Sequence, residues 1–126
     1  MDNDSAEPKS TGTSRTGAGF FRTLRRERLA RRRILEQIQS DGSSAPIVLD
    51  HEELVIGRDP GAQVRLASPL ASPRHVSFRL RGPDCMMVDN DSDHGVLLNG
   101  VQVHAAVLRD GDVIQVADSV FVYRED

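Results

Sequence analysis

From Pro46 to the C-terminus no stretch carries a helical period, and this limits the fold of that part to strands. Apolar side chains alternate instead, at Leu54 and Ile56, at Val64 and Leu66, and at Val76, Phe78 and Leu80, with Ser77, Arg79 and Arg81 facing the other way. Turn-forming residues separate the runs at Asp59-Pro60-Gly61, Gly82-Pro83-Asp84, Asn99-Gly100 and Asp110-Gly111. Asn99-Gly100, between Val96-Leu97-Leu98 and Val101-Gln102-Val103, is the strongest hairpin signal, because both central positions of a type I′ turn need positive φ. Short strands at this spacing with no helix between them predict an all-β sandwich or barrel. A chain of 126 residues has room for one such domain.

The region before Pro46 differs in charge and composition. Residues 1–45 carry a formal charge of +3 and residues 46–126 one of −6, which together give the net −3 of the whole chain. Residues 1–19 are rich in Ser, Thr and Gly with almost no large apolar side chains, so they are expected to be a disordered tail. FFRTLRRERLARRRILEQIQS then runs from Phe20 to Ser40 without Gly or Pro and is rich in helix formers, which predicts a basic helix over 20–41. Residues 42–46 read as a linker, and the β domain as 47–126. At 100° per residue Phe20, Phe21, Leu24, Leu35 and Ile38 share one side of that helix, with Ile34 at its margin, and Arg28 and Arg31 interrupt the stripe. The broken stripe leaves several readings open for 20–38: a solvated basic arm, a helix docking on a second protein or acidic surface, an anionic-membrane helix, or a nucleic-acid arm.

Several function classes are disfavoured by the same residues. A single cysteine, Cys85, allows no internal disulfide and no cysteine-based zinc cluster, and its neighbours suggest a thiol packed in a strand. The stretch DNDSDHGVLLNG, residues 89–100, places Asp89, Asp91 and Asp93 like the first ligands of a calcium loop. Its sixth position is His94 rather than Gly and its twelfth is Gly100 rather than Glu, so no metal is expected there. No run approaches the eighteen apolar residues of a membrane span, and MDNDSAEPKS lacks the pattern of a signal peptide, so a cytoplasmic location is expected. Fifteen of the sixteen basic residues are arginine, a bias that fits a bacterial source with a GC-rich genome.

Four short motifs on this β pattern carry a resemblance. LVIGRDPGAQVRLASPLASPRHVSFRL, DNDSDHGVLLNG and LRDGDVIQVADSVFVY together resemble a forkhead-associated (FHA) domain along nearly all of 47–126. Gly57-Arg58, Ser72-Pro73-Arg74-His75, Asn99-Gly100 and Gly111-Asp112 match that family's pattern in order and spacing. The resemblance implies a β-sandwich of about eleven strands whose loops at one end bind phosphothreonine peptides, with no cofactor. No paired carboxylates, metal set or nucleophile with its base can be placed by motif, so a binding module is expected rather than an enzyme.

The matched residues suit that role chemically. Arg58 would supply a planar fork of donors to a phosphate dianion and Ser72 a hydroxyl, with Arg74 adding positive field. Each also has a plain structural reading, as a surface arginine after a strand and a turn serine before Pro73. In the family the motif histidine, here His75, is mainly structural and bonds across the loops, and Gly57, Gly95, Asn99 and Gly100 are the other structural positions. The chain departs from the family's usual Ser-x-Asn-Gly-Thr at Ser92-Asp93-His94-Gly95-Val96, where His94 replaces the asparagine that holds the peptide backbone. Asp93 puts a carboxylate where phosphate would approach, and like charges about 5 Å apart repel by about 3 kcal/mol at an effective dielectric near 20, less where solvent screens them. Two readings follow: phosphothreonine recognition re-tuned around Asp93 and His94, or an FHA-like scaffold that assembles proteins without phosphate.

Overall fold

The computed structural model describes residues 32–50 and 52–126, which form a β-sandwich of eleven strands. In chain order these are β1 (Arg33–Ile38), β2 (Ser44–Val48), β3 (Glu53–Gly57), β4 (Val64–Arg65), β5 (Val76–Arg81), β6 (Asp84–Asp89), β7 (Val96–Leu98), β8 (Val101–Val103), β9 (Ala105–Val107), β10 (Val113–Val116) and β11 (Ser119–Glu125). One sheet has the order β2-β1-β11-β10-β7-β8 and the other β4-β3-β5-β6-β9. Only the β3–β4 pairing is parallel among the described ladders.

The alternation read from the sequence decides which side chains face between the sheets. Leu54, Ile56, Val76, Phe78, Cys85 and Met87 come from one sheet; Leu35, Val96, Ile114, Val116, Phe121 and Tyr123 come from the other. Each is at most 5% exposed, so the sheets are held by burial of large apolar side chains, each of which contributes about 1.5–3 kcal/mol. Cys85 lies within this core, and burial pushes its thiol up to about 12, so it packs rather than reacts.

The helix expected over 20–41 is corrected by β1. Its part before residue 32 lies outside the described residues, but Arg33–Ile38 is a strand. Helix propensity loses here to tertiary pairing: β1 makes ladders on both edges, with β11 (Leu35 opposite Tyr123) and with β2 (Leu35 opposite Ile47), and Leu35 is fully buried. The stripe read at 100° therefore does not exist in this segment, where residues alternate across the sheet. Arg33, on the same face as Leu35, is only 6% exposed, and its Nη2 donates to the carbonyl of Gly82 at 2.8 Å. The expected linker is also corrected. Gln39–Ser43 is a hairpin turn in which Gly42 has φ of +88°, and Ser44, Ala45 and Pro46 already belong to β2. The sandwich therefore includes Arg33–Val48 as well as 47–126.

Candidate functional site

The end of the sandwich where β3 and β6 finish and β5 begins is built from three loops: 58–63, 66–75 and 90–95. Gly57 closes β3 against the second of these so tightly that a Cβ there would lie 2.2 Å from the carbonyl oxygen of Pro73. The close approach lets the backbones pair, with the N–H of Arg58 donating to Ser72 O and that of Asp59 to Pro73 O, both at 3.0 Å. Gly57 is thus glycine for lack of space, and Arg58 is held beside Ser72 by main-chain bonds.

His75 joins the second loop to the third. It is fully buried, its Nδ1 accepts from the N–H of Ser72 at 3.1 Å, and its Nε2 lies 2.7 Å from the carbonyl of Gly95. Because Nδ1 accepts, we assign the ring proton to Nε2, which donates to Gly95. The His75 main chain is used as well, donating to Ile56 O and accepting from Asn90 N–H. One residue thus ties β3 and both loops together: its ring bonds the Ser72 and Gly95 loops, and its main chain bonds β3.

The aspartate-rich loop 89–95 bonds both within itself and to its neighbours. Asp89 Oδ1 accepts from Ser92 N–H at 3.2 Å, Ser92 Oγ accepts from Gly95 N–H at 2.9 Å, and Asn90 Nδ2 donates to Ser77 Oγ at 2.8 Å. Asp91 and Gly95 sit at positive φ, +55° and +78°. The N–H of Asp93 donates to Ser72 Oγ at 3.0 Å, which leaves the Ser72 hydroxyl proton free to point outward.

Two clefts lie on either side of Pro73. Ser72, Arg74, Ser77, Asn90, Asp91 and Asp93 line the first, with the ion pair Arg79–Glu53 (3.0 Å) at its border. Arg58, Asp59 and Arg65 line the second, together with Pro60 and Ala67. The structure thus brings Ser72, Arg74 and Asp93 into one cleft and sets Arg58 across Pro73 from them. His94 is exposed and lines neither cleft. Arg58 is exposed, and its Nε is tied to the carbonyl of Ala71 at 2.9 Å, so its terminal donors remain for an anion.

Some site residues were missed in the sequence. Arg65 faces outward between Val64 and Leu66, and only the parallel register of β4 on β3, Gly57 opposite Arg65, shows that it neighbours Arg58. Asn90 and Ser77 form a side-chain pair that no motif signals. Asn99-Gly100 does turn with both φ positive, +51° and +85°, but at the opposite end of the sandwich. There Asn99 accepts from Val113 N–H through Oδ1 and donates to Asp112 through Nδ2, so two of the four motifs form a single staple.

The FHA-domain family model matches residues 54–117. FhaA of Mycobacterium tuberculosis is 34% identical over 84 residues, 67% of this chain but 16% of FhaA. The glycogen accumulation regulator GarA of Mycolicibacterium smegmatis is 34% identical over 76 residues, 60% of this chain and 48% of GarA. The chain therefore spans less than half the length of either relative. A solved structure from work on phosphothreonine-dependent FHA domain interactions superposes with a TM-score of 0.67 at 32% identity, covering 74% of this chain and 95% of that one. A sandwich of this topology, with Gly57-Arg58 and Ser72-Pro73-Arg74-His75 on its loop end and a family match over those residues, belongs to the FHA-domain family.

Proposed function

We propose that the loop end of this sandwich binds phosphothreonine-containing segments of a partner protein, making the chain a signalling adaptor rather than a catalyst. One observation carries the reading: His75 holds the Ser72 loop so that an outward hydroxyl and the terminal donors of Arg58 flank the same exposed ridge at Pro73. A guanidinium fork and a short hydroxyl suit a phosphate dianion, and Arg74 adds a further positive charge at the rim. The relative studied for phosphothreonine-dependent interactions supports the same chemistry. A partner phosphorylated by a kinase supports a cytoplasmic location for the chain.

A second reading is favoured by a specific feature. Asp91 and Asp93 line the cleft beside Ser72, and among the described residues Arg74 is the one cation there outside the Arg79–Glu53 pair. This balance suits a scaffold that grips a partner without phosphate. The two separate in a titration with phosphothreonine peptides and their unphosphorylated counterparts. Under the first, only the phosphorylated peptides bind, and Arg58→Ala and Ser72→Ala each lower affinity at least about tenfold while the fold is kept, since a charge-assisted hydrogen bond contributes about 1.5–3 kcal/mol. Equal binding of both peptide forms would establish the scaffold instead.

A further inference from the structure

We propose that Arg65, beside the phosphate-binding Arg58, forms a second anion subsite, so that the preferred partner carries another negative group, a carboxylate or a second phosphate, within about two residues of its phosphothreonine. This rests on the phosphothreonine reading above and deepens it. The parallel register sets Arg65 opposite Gly57, the residue just before Arg58, and Leu66 N–H donates to Gly57 O at 2.8 Å to lock that register. Arg65 Nε donates to the carbonyl of Arg58 at 3.0 Å, and Arg58 Nε donates to that of Ala71 at 2.9 Å. Each guanidinium is thus fixed by its inner nitrogen, with its terminal amino groups left over, and both line the cleft beside Pro73.

Charge favours an anion on this side and not on the other. Among the described residues Asp59 is the one carboxylate in the Arg58/Arg65 cleft, and its Oδ1 accepts from Gly61 N–H at 3.0 Å within its own turn. Neither arginine is in an ion pair among the described residues. With the phosphothreonine on Arg58, the terminal amino groups of Arg65 still lack an anion, and a second negative group beside them satisfies that fork. Neighbouring strands lie about 4.8 Å apart and an extended peptide advances about 3.3 Å per residue, which sets the reach to about two residues. Across Pro73 the Asp91/Asp93 cleft has the opposite balance, so the two sides of the ridge sort charge.

The test is calorimetric titration of the full chain with neutral peptides bearing one phosphothreonine, into which a glutamate, or a second phosphothreonine, is placed at each flanking position in turn. At one position the added charge is expected to tighten binding about five- to tenfold, the effect of about 1–1.4 kcal/mol. Arg65→Gln should erase that gain while binding the parent peptide within about twofold of wild type, and Arg65→Lys, which keeps charge without the fork, should keep part of it. A gain from the second phosphothreonine but not from glutamate would identify the anion as phosphate. The inference is overturned if Arg65→Gln and Arg65→Lys both retain the full gain, if no position gives one, or if Arg65→Gln weakens the parent peptide as much as the charged one. Absence of binding to every phosphothreonine peptide would overturn the phosphothreonine reading itself, and this inference with it.

Discussion

The two ends of this sandwich are both fastened by polar side chains at family-motif positions, yet they differ in what they leave outside. At the Asn99 end the polar atoms satisfy one another. Asn99 uses Oδ1 and Nδ2, and Asp112 uses Oδ1 on Asn99 and Oδ2 on Arg109 N–H, at 3.1 and 2.8 Å. At the His75 end the fastening is buried, and the groups it positions point out: the Ser72 hydroxyl, the Arg58 and Arg65 forks, and Arg74. A motif therefore marks a site only where its hydrogen bonds end short of satisfying the residues they place. Self-satisfied motifs are structure.

Removing the buried fastener should have the largest effect. His75→Ala leaves Ser72 N–H and Gly95 C=O without partners in a buried setting, and each such group costs about 1–3 kcal/mol, so unfolding free energy is expected to fall by about 2–5 kcal/mol. Urea unfolding of the wild type and the variant reads this directly. A variant as stable as the wild type would show that the loops are held without the ring, and the contrast between the ends would collapse.

Beneath the Asn99 end, alkaline pH tests the core. The Cys85 thiol is pushed up to about 12, chiefly by burial, with Arg33 opposing the rise, and the Tyr123 phenol, which donates to Glu125 Oε2 at 2.8 Å, is also raised, first by burial. The raised thiol favours the folded state fully below its ordinary value near 9, and this contribution is lost as pH climbs toward the folded value. At about 1.4 kcal/mol per unit, stability should drop by about 1.5–2 kcal/mol between pH 9 and 10.5. Cys85→Ala, although less stable throughout, should lose much less over that interval. Equal slopes for the two proteins would mean that another group titrates.

Asn99→Ala should cost about 1–2 kcal/mol, the loss of exposed staple bonds and of a residue suited to φ of +51°, and should leave phosphopeptide affinity unchanged. Its melting temperature and its titration curve are the two measurements. Altered affinity would connect ends that the hydrogen bonds keep separate.

The sequence made the sheets and most of the loop end legible, for a physical reason. Alternation at Val76, Phe78 and Leu80 is a local signal of which side chains turn inward, and Gly57, Ser72 and His75 form a motif because their bonds demand those residue types. Arg33–Ile38 misled because its local propensity is helical while β2 and β11, absent from any local window, supply its hydrogen bonds. Arg65 was invisible for a related reason: its place beside Arg58 follows from a parallel register that no short-range pattern encodes. The aspartates of 89–95 read as an imperfect calcium loop or as a charge problem, whereas Asp89 serves the loop's own bonding and the Asp93 N–H ties the loop to Ser72.

The smallest expected effect concerns Asp93, and it separates what its backbone does from what its side chain does. The N–H of Asp93 holds Ser72 Oγ, a bond that any residue at this position can make, while the carboxylate is exposed and lines the cleft beside Ser72 and Arg74. Asp93→Thr should therefore keep the loop in place and change only the charge facing an incoming phosphate. Because the group is exposed and screened, the gain is expected to be about two- to fivefold in affinity, that of an exposed charge interaction of about 0.5–1 kcal/mol, and to shrink as salt is raised. Titrating both proteins with one phosphothreonine peptide at low and high ionic strength measures this. An Asp93→Thr variant that bound less tightly would mean that the carboxylate contacts the peptide favourably, through a basic residue of the partner. No change at any salt would place the phosphate on the Arg58 side of Pro73.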